Sequence, residues 1–199
     1  ASLYREEIPN SNEWLRMGSF EIPSTMGVVG TALSNTTGNT DIGGGKMIDT
    51  ISSITVSLYD GTLESYNNID LFNNPNLNLA YIGGELVQFG TATASGVASA
   101  PYTRRYTLTN FRRGLNGTTS KVSGHTADED FVLIDSTAQW MRIPLGHLFT
   151  DYRYKIVSVG MPLDGVQPIV FNTGVGSAPP VATNLVCTTT EVTAQDGTT

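Results

Sequence analysis

The amino-acid sequence predicts an all-β chain, a sandwich or partly open barrel of short antiparallel strands. Three observations predict it: apolar and polar residues alternate with period two, turn residues punctuate the apolar runs about every ten positions, and sustained helical periodicity is absent. The composition agrees, since 39% of the 199 residues are hydrophobic, only 15% are charged and 21 are glycine. Gly and Asn suit tight turns, whereas Thr and the aromatics suit a pleated, half-buried surface. A chain of this length holds one sizeable β domain or two small ones.

Residues 1–49 read as an N-terminal arm followed by Gly-rich strands and a loop. Up to Phe20 the arm is polar, with Leu3, Tyr4, Ile8, Trp14 and Leu15 as apolar anchors that pack on a neighbour or on the domain's own edge. Residues 25–45 are rich in Gly, Thr and Asn and end in Asp41-Ile42-Gly43-Gly44-Gly45, the pattern of strand fragments around a flexible loop.

Residues 50–175 form the main β domain. Ile54, Val56 and Leu58 alternate with Ser53, Thr55 and Ser57, a half-buried strand. Tyr59-Asp60-Gly61-Thr62 and Asn73-Asn74-Pro75-Asn76 are breaks. Gly83-Gly84 splits two apolar runs, a two-residue hairpin signal. In the strand from Tyr106 to Phe111, alternation places Tyr106, Leu108 and Asn110 on one face and Thr107, Thr109 and Phe111 on the other. Phe131-Val132-Leu133-Ile134 is a continuous apolar run, expected to be buried on both faces, and a strand from Tyr152 to Val159 closes the domain. One helical turn is expected at most, over residues 136–142. Residues 176–199 read as a linker, Gly176-Ser177-Ala178-Pro179-Pro180, and the first strand of a module the chain does not complete.

The net charge of −7 argues against general nucleic-acid or anionic-membrane binding. The charge is unevenly spread: no Asp or Glu lies between Leu86 and Ala127, where Arg104, Arg105, Arg112, Arg113 and Lys121 fall. Either this is a basic face for an acidic partner, or these arginines pair with Glu85, Asp128, Glu129 and Asp130 across strands, the commoner arrangement. The lone Cys187 excludes an internal disulfide and reads as a small buried side chain. No apolar run approaches the length of a transmembrane helix, and the start lacks the apolar segment of a signal peptide. Its lack of an initiating Met reads as a trimmed chain or a fragment.

Motifs for chemistry are scarce. The two histidines, His125 and His147, are far apart, have no Cys or His at metal-ligand spacing, and default to the surface or turns; no Gly-x-Ser-x-Gly elbow supports a triad. Gly43-Gly44-Gly45-Lys46-Met47 fails as a phosphate loop, because Thr40 replaces the first Gly and Met47 the magnesium-binding hydroxyl. Asp128, Glu129 and Asp130 are consecutive, so their side chains point alternately to opposite faces and read as a solvated turn. Asn35-Thr36-Thr37 and Asn116-Gly117-Thr118 match the glycosylation pattern, which has meaning only in a secreted eukaryotic protein. No cofactor, metal or enzymatic turnover is expected.

One segment is informative. Asn78-Leu79-Ala80 is followed by Glu85-Leu86-Val87-Gln88-Phe89, then by a tyrosine strand that runs into Phe111-Arg112-Arg113-Gly114-Leu115-Asn116-Gly117-Thr118, then by His125 and Phe131-Val132-Leu133-Ile134-Asp135. Together with the flanking Ser53–Leu58 and Tyr152–Lys155 strands, residues 50–160 resemble the C-terminal domain of the large tail-tip (baseplate hub, central tail fibre) proteins of siphophages and gene transfer agents. The chain departs at Phe111, where that family has Leu, and in an Ala/Ser/Thr-rich insertion after Phe89. Asn184-Leu185 resembles the opening of a fibronectin type III module.

The motif residues also make physical sense alone. Gly114 and Gly117 suit positive φ at a tight connection, and Arg113 can fork onto Glu85 from a neighbouring strand. The expected Glu85–Arg113 pair pins strand register, and it is not structural if both alanine variants leave stability unchanged. The alternative role for Glu85, a catalytic acid, has less in its favour.

The resemblance implies a virion structural part at the distal end of the tail, homotrimeric, meeting other tail-tip or baseplate proteins and supporting host attachment and DNA delivery. Arg104, Arg105, Arg112 and Lys121 are its candidate interaction surface; Glu85, Gln88, Phe89, Arg113, Gly114, Gly117 and Thr118 are its structural motif. The alternative is a module that binds a host receptor or glycan, with Trp14, Tyr102 or Trp140 as stacking surfaces. A third class, a glycosidase or peptidase, requires turnover that one carboxylate or histidine controls.

Overall fold

The computed structural model describes residues 1–34, 39–41, 47–138 and 143–173. The Gly43–Gly45 loop with Lys46, Asn35-Thr36-Thr37, Trp140, Cys187 and the whole of 176–199 with its fibronectin-like opening lie outside the described residues. The strands are β1 (Ser2–Glu6), β2 (Trp14–Ser19), β3 (Met26–Val29), β4 (Asn39–Asp41), β5 (Met47–Leu58), β6 (Leu79–Ile82), β7 (Glu85–Ala94), β8 (Arg104–Arg112), β9 (Asp130–Leu133), β10 (Thr150–Val157) and β11 (Ile169–Thr173), with one helix, α1 (Asn68–Asn73).

The chain is all-β, with two antiparallel sheets. One runs β3-β9-β6-β7-β8-β5, and β3 also pairs with β5, so six strands close into a barrel; β4 is added outside on β5. Closure leaves these six strands no free edge; the chain is all-β and antiparallel as expected, and where a sandwich or partly open barrel was expected the barrel is closed, beside a four-stranded sheet. Closure depends on Gly27: a Cβ there would lie 2.1 Å from the Ser57 carbonyl oxygen. Val29, Ile54, Val56, Leu58, Ala80, Ile82, Val87, Phe89, Leu108, Phe111 and Phe131 fill the core.

Two expectations about faces need correction. Tyr106, Leu108 and Phe111 all enter one core, because Asn110 takes φ +60° and the register of β5 against β8 shifts between Asp49 and Ser53. That bulge turns Phe111 back inside. Its extra donors are satisfied by the Asp49 side chain, whose Oδ1 accepts from the backbone of Ile51 at 3.0 Å and Ser52 at 2.9 Å. Of the apolar run only Phe131 is fully buried; Val132 and Leu133 in β9, and Ile134 just after it, are half-buried, because the strand has one face inside the barrel and one outside.

The second sheet runs β11-β10-β1-β2. Leu3 packs with Tyr152 and Tyr154, with Met17 and Phe20 against them, and Arg5 lies over the Tyr152 ring at 4.9 Å. The N-terminal arm therefore packs on the chain's own β10. By strand pairing, β3 and the start of β5 belong to the barrel, β4 adds to β5 outside it, and β10 and β11 join the sheet of the arm. Helix α1 was not foreseen, although Asn67 caps it by accepting from the Asp70 backbone at 2.9 Å. Residues 136–138 form a turn closed by Ala138 N–H on the Asp135 carbonyl, and 139–142 lie outside the described residues.

Candidate functional site

The site is built from a hairpin and a strand end. Gly83 and Gly84 take φ +52° and +101°, which lets β6 turn into β7 and sets Glu85 as the first residue of β7, opposite Ile82. Gly83 has a second reason to be glycine, since a Cβ there would lie 2.2 Å from Glu129 Oε2. On the adjacent strand, β8 ends at Arg112, paired with Gln88; Arg113 follows, and Gly114 turns with φ +62°.

Arg113 and Glu85 meet as a fork. Nε of Arg113 donates to Glu85 Oε1 at 2.9 Å and Oε2 at 3.0 Å, and Nη2 donates to Oε2 at 2.8 Å. The Gly114 backbone N–H adds a bond to Oε1 at 2.6 Å. Arg113 also donates to the Ser34 carbonyl at 3.1 Å, Asp49 Oδ2 at 3.4 Å and the Val122 carbonyl at 2.9 Å. Its side chain is 6% exposed, and those of Glu85 and Asp49 are fully buried.

His125 joins the same cluster, which corrects its expected place on the surface. Its side chain is 1% exposed, with Nε2 2.9 Å from Glu85 Oε2 and Nδ1 2.7 Å from Glu129 Oε2. Glu129 also accepts from the Thr126 backbone at 3.0 Å, so it is not merely part of a solvated turn. Asp49 is the member that sequence reasoning missed; His125 and Glu129 were named there, but not as partners of one another or of Glu85. The i, i+4 spacing of His125 and Glu129 after a glycine was the available signal.

The rest of the motif supports this cluster. Gln88 is buried; its Nε2 donates to the carbonyls of Asn74 (2.9 Å) and Leu77 (2.7 Å), and its Oε1 accepts from Arg112 Nη1. Phe89 packs near Phe131 in the core. Thr118 Oγ1 accepts from Leu86 N–H at 2.9 Å and donates to the Leu115 carbonyl at 2.7 Å, and Gly117 takes φ +83°. Asn78, at φ +48°, donates to the carbonyls of Glu64 and Phe89.

Of the basic residues, Arg104, Arg105 and Lys121 are exposed. Arg112 is half-buried: it donates to the Leu71 carbonyl at 2.9 Å, lies over the Phe72 ring at 4.4 Å, and burial pushes its guanidinium down from its ordinary value. It is therefore part of the packing under α1. Among the described residues no arginine pairs with Asp128 or Asp130; Arg113 takes Glu85, as expected, and Asp49. Among the expected stacking surfaces, Trp14 is covered by the Lys155 ammonium at 4.6 Å, and Tyr102 packs on Tyr59 with ring centroids 4.9 Å apart.

Chemically, the cluster converges acids and an imidazole, as an acid–base site does. General acid–base work needs a reacting group within hydrogen-bond reach of the proton carrier. Here Glu85 and His125 are closed to solvent and bonded to the protein itself. What the arrangement does is lock the connection from Gly114 to Glu129 over one end of the barrel. Among the described residues no group of His, Cys, Asp or Glu is suited to hold a metal, and no helix is long and apolar enough to cross a membrane.

Residues 24–132, more than half of the chain, match the family described as Rcc01698-like, C-terminal. No curated protein and no solved structure matches the chain.

Proposed function

The chain belongs to the Rcc01698-like, C-terminal family, and for this member we propose a structural, non-enzymatic role in a phage tail tip or baseplate hub. It acts there as a homotrimer at the distal end of the tail, scaffolding host attachment and the path for DNA. The ordered resemblance of residues 50–160 to tail-tip proteins motivates the reading. The observation that carries it is the closed barrel end, where Asp49, Glu85, Arg113 and His125 are spent on one another at exposures of 0–6%. Such a cluster fixes geometry under load and keeps Glu85 and His125 closed to solvent.

Exposed Arg104, Arg105 and Lys121 offer cations to acidic neighbouring subunits. The test is genetic and visual. Particles made without the chain should carry filled heads and tails with an incomplete tip, and should fail to deliver DNA. Complete tips in its absence, or hydrolysis of host glycan or peptide by the purified chain, would overturn the reading.

A further inference from the structure

An open cleft of about 220 Å³ lies between the irregular chain that follows β5 and the chain that leaves β9. Its lining includes the apolar Leu133 and Ile134 and the polar Glu64, Tyr66, Asn76 and Asp135. Tyr66 and Asp135 are held in place. Tyr66 donates its phenol to Glu64 Oε2 at 2.7 Å and its backbone N–H to the Gly90 carbonyl at 2.8 Å. Asp135 Oδ1 accepts from the Thr137 backbone at 2.8 Å and its hydroxyl at 2.6 Å, and the Ile134 N–H donates to the Leu79 carbonyl at 2.8 Å. Each carboxylate thus spends one oxygen inside the protein. The other, Oε1 of Glu64 and Oδ2 of Asp135, has no partner among the described residues, nor has the Asn76 amide.

We propose that this cleft is a binding subsite for a single neutral sugar ring. These two carboxylate oxygens, without a partner among the described residues, accept and do not donate, so a ligand they recognise presents hydroxyl donors. The Asn76 amide adds one donor and one acceptor. The apolar Leu133 and Ile134 and the Tyr66 ring take the C–H face of such a ring, as an amphipathic aromatic lining can. The volume falls below the roughly 300–1,000 Å³ of sites for drug-sized ligands, so the cleft holds one ring and not a buried chain. The subsite is separate from the buried cluster and does not rest on the proposed role in the tail.

The experiment is saturation-transfer NMR of the whole chain with glucose, galactose, rhamnose and N-acetylglucosamine in turn. At least one should receive saturation at its ring protons, with weak, millimolar affinity. Tyr66→Ala and Asp135→Asn should each weaken that binding about tenfold, the loss expected for one hydrogen bond to a charged group or its supporting contact. Glu64→Gln, which keeps the shape, serves as a third variant, and melting curves confirm that each variant is folded. No transfer to any of the four sugars, or transfer unchanged in all folded variants, overturns the proposal. Failure here leaves the hub role untouched, because that role requires no affinity for free sugars.

Discussion

Replacing Arg113 by Ala removes the fork on Glu85, the contact with Asp49 and the donors to the Ser34 and Val122 carbonyls in one step. Glu85 stays buried, left with the Gly114 N–H and His125 as partners. Removing one partner of a buried ion pair costs about 3–5 kcal/mol, because the desolvated charge that remains is uncompensated. For a chain of this size one kcal/mol moves the melting temperature by about 2–4 °C, so a fall of roughly 6–20 °C is expected. Arg113→Lys keeps the charge, but one ammonium cannot reach Glu85, Asp49 and both carbonyls together, and its loss should be intermediate. Urea unfolding gives the midpoint at constant slope, and a cycle with Glu85→Gln should report coupling of about 0.5–3 kcal/mol. If Arg113→Ala stays within about 0.5 kcal/mol of wild type, the range of an ordinary surface change, the cluster does not hold the barrel end.

Three further outcomes are expected. Gly27→Ala forces a Cβ onto the Ser57 carbonyl, so it should open the β3–β5 seam, seen as faster amide exchange at residues 27–29 and 56–58 than at β7. His125→Ala removes one partner each from Glu129, which keeps the Thr126 N–H, and from Glu85; a loss of about 1–3 kcal/mol should come with faster exchange confined to residues 115–128. In the second sheet, the Arg153 guanidinium bonded to Glu6, helped by the Asn10 and Asn12 amides and opposed by burial, lowers that carboxyl from 4.5 to about 2. A depressed carboxyl stabilises the fold fully above its unfolded value and loses that contribution as pH falls towards the folded one. The stability gap between wild type and Arg153→Ala should therefore be full near neutral pH, shrink below about pH 4.5 and be gone below about pH 2; a gap independent of pH would refute the assignment.

Some of this was legible because the signals are local and complementary. Gly83-Gly84 between two apolar runs reads directly as a hairpin, and Arg113 beside a glycine turn seeks the acid at the next strand's start. Barrel closure was not legible, since nothing near Gly27 in the sequence says that Ser57 will sit against it. The inward turn of Phe111 was hidden for a related reason: strict alternation puts it outside, and only the Asn110 kink opposite a bulge at Asp49 reverses it. The burial of His125 depends on Glu85, forty residues away, and Glu129 arriving together. Helix α1 had its cap in Asn67 and Asp70 but, at six residues, no periodicity to read.

Cryo-electron microscopy of the intact particle, with the barrel fitted into the density, tests the central claim most directly. The account predicts three copies around the axis at the distal end of the tail, with Arg104 and Arg105 turned towards acidic neighbours. Density that places the chain elsewhere in the particle, or a particle that lacks it, would contradict it.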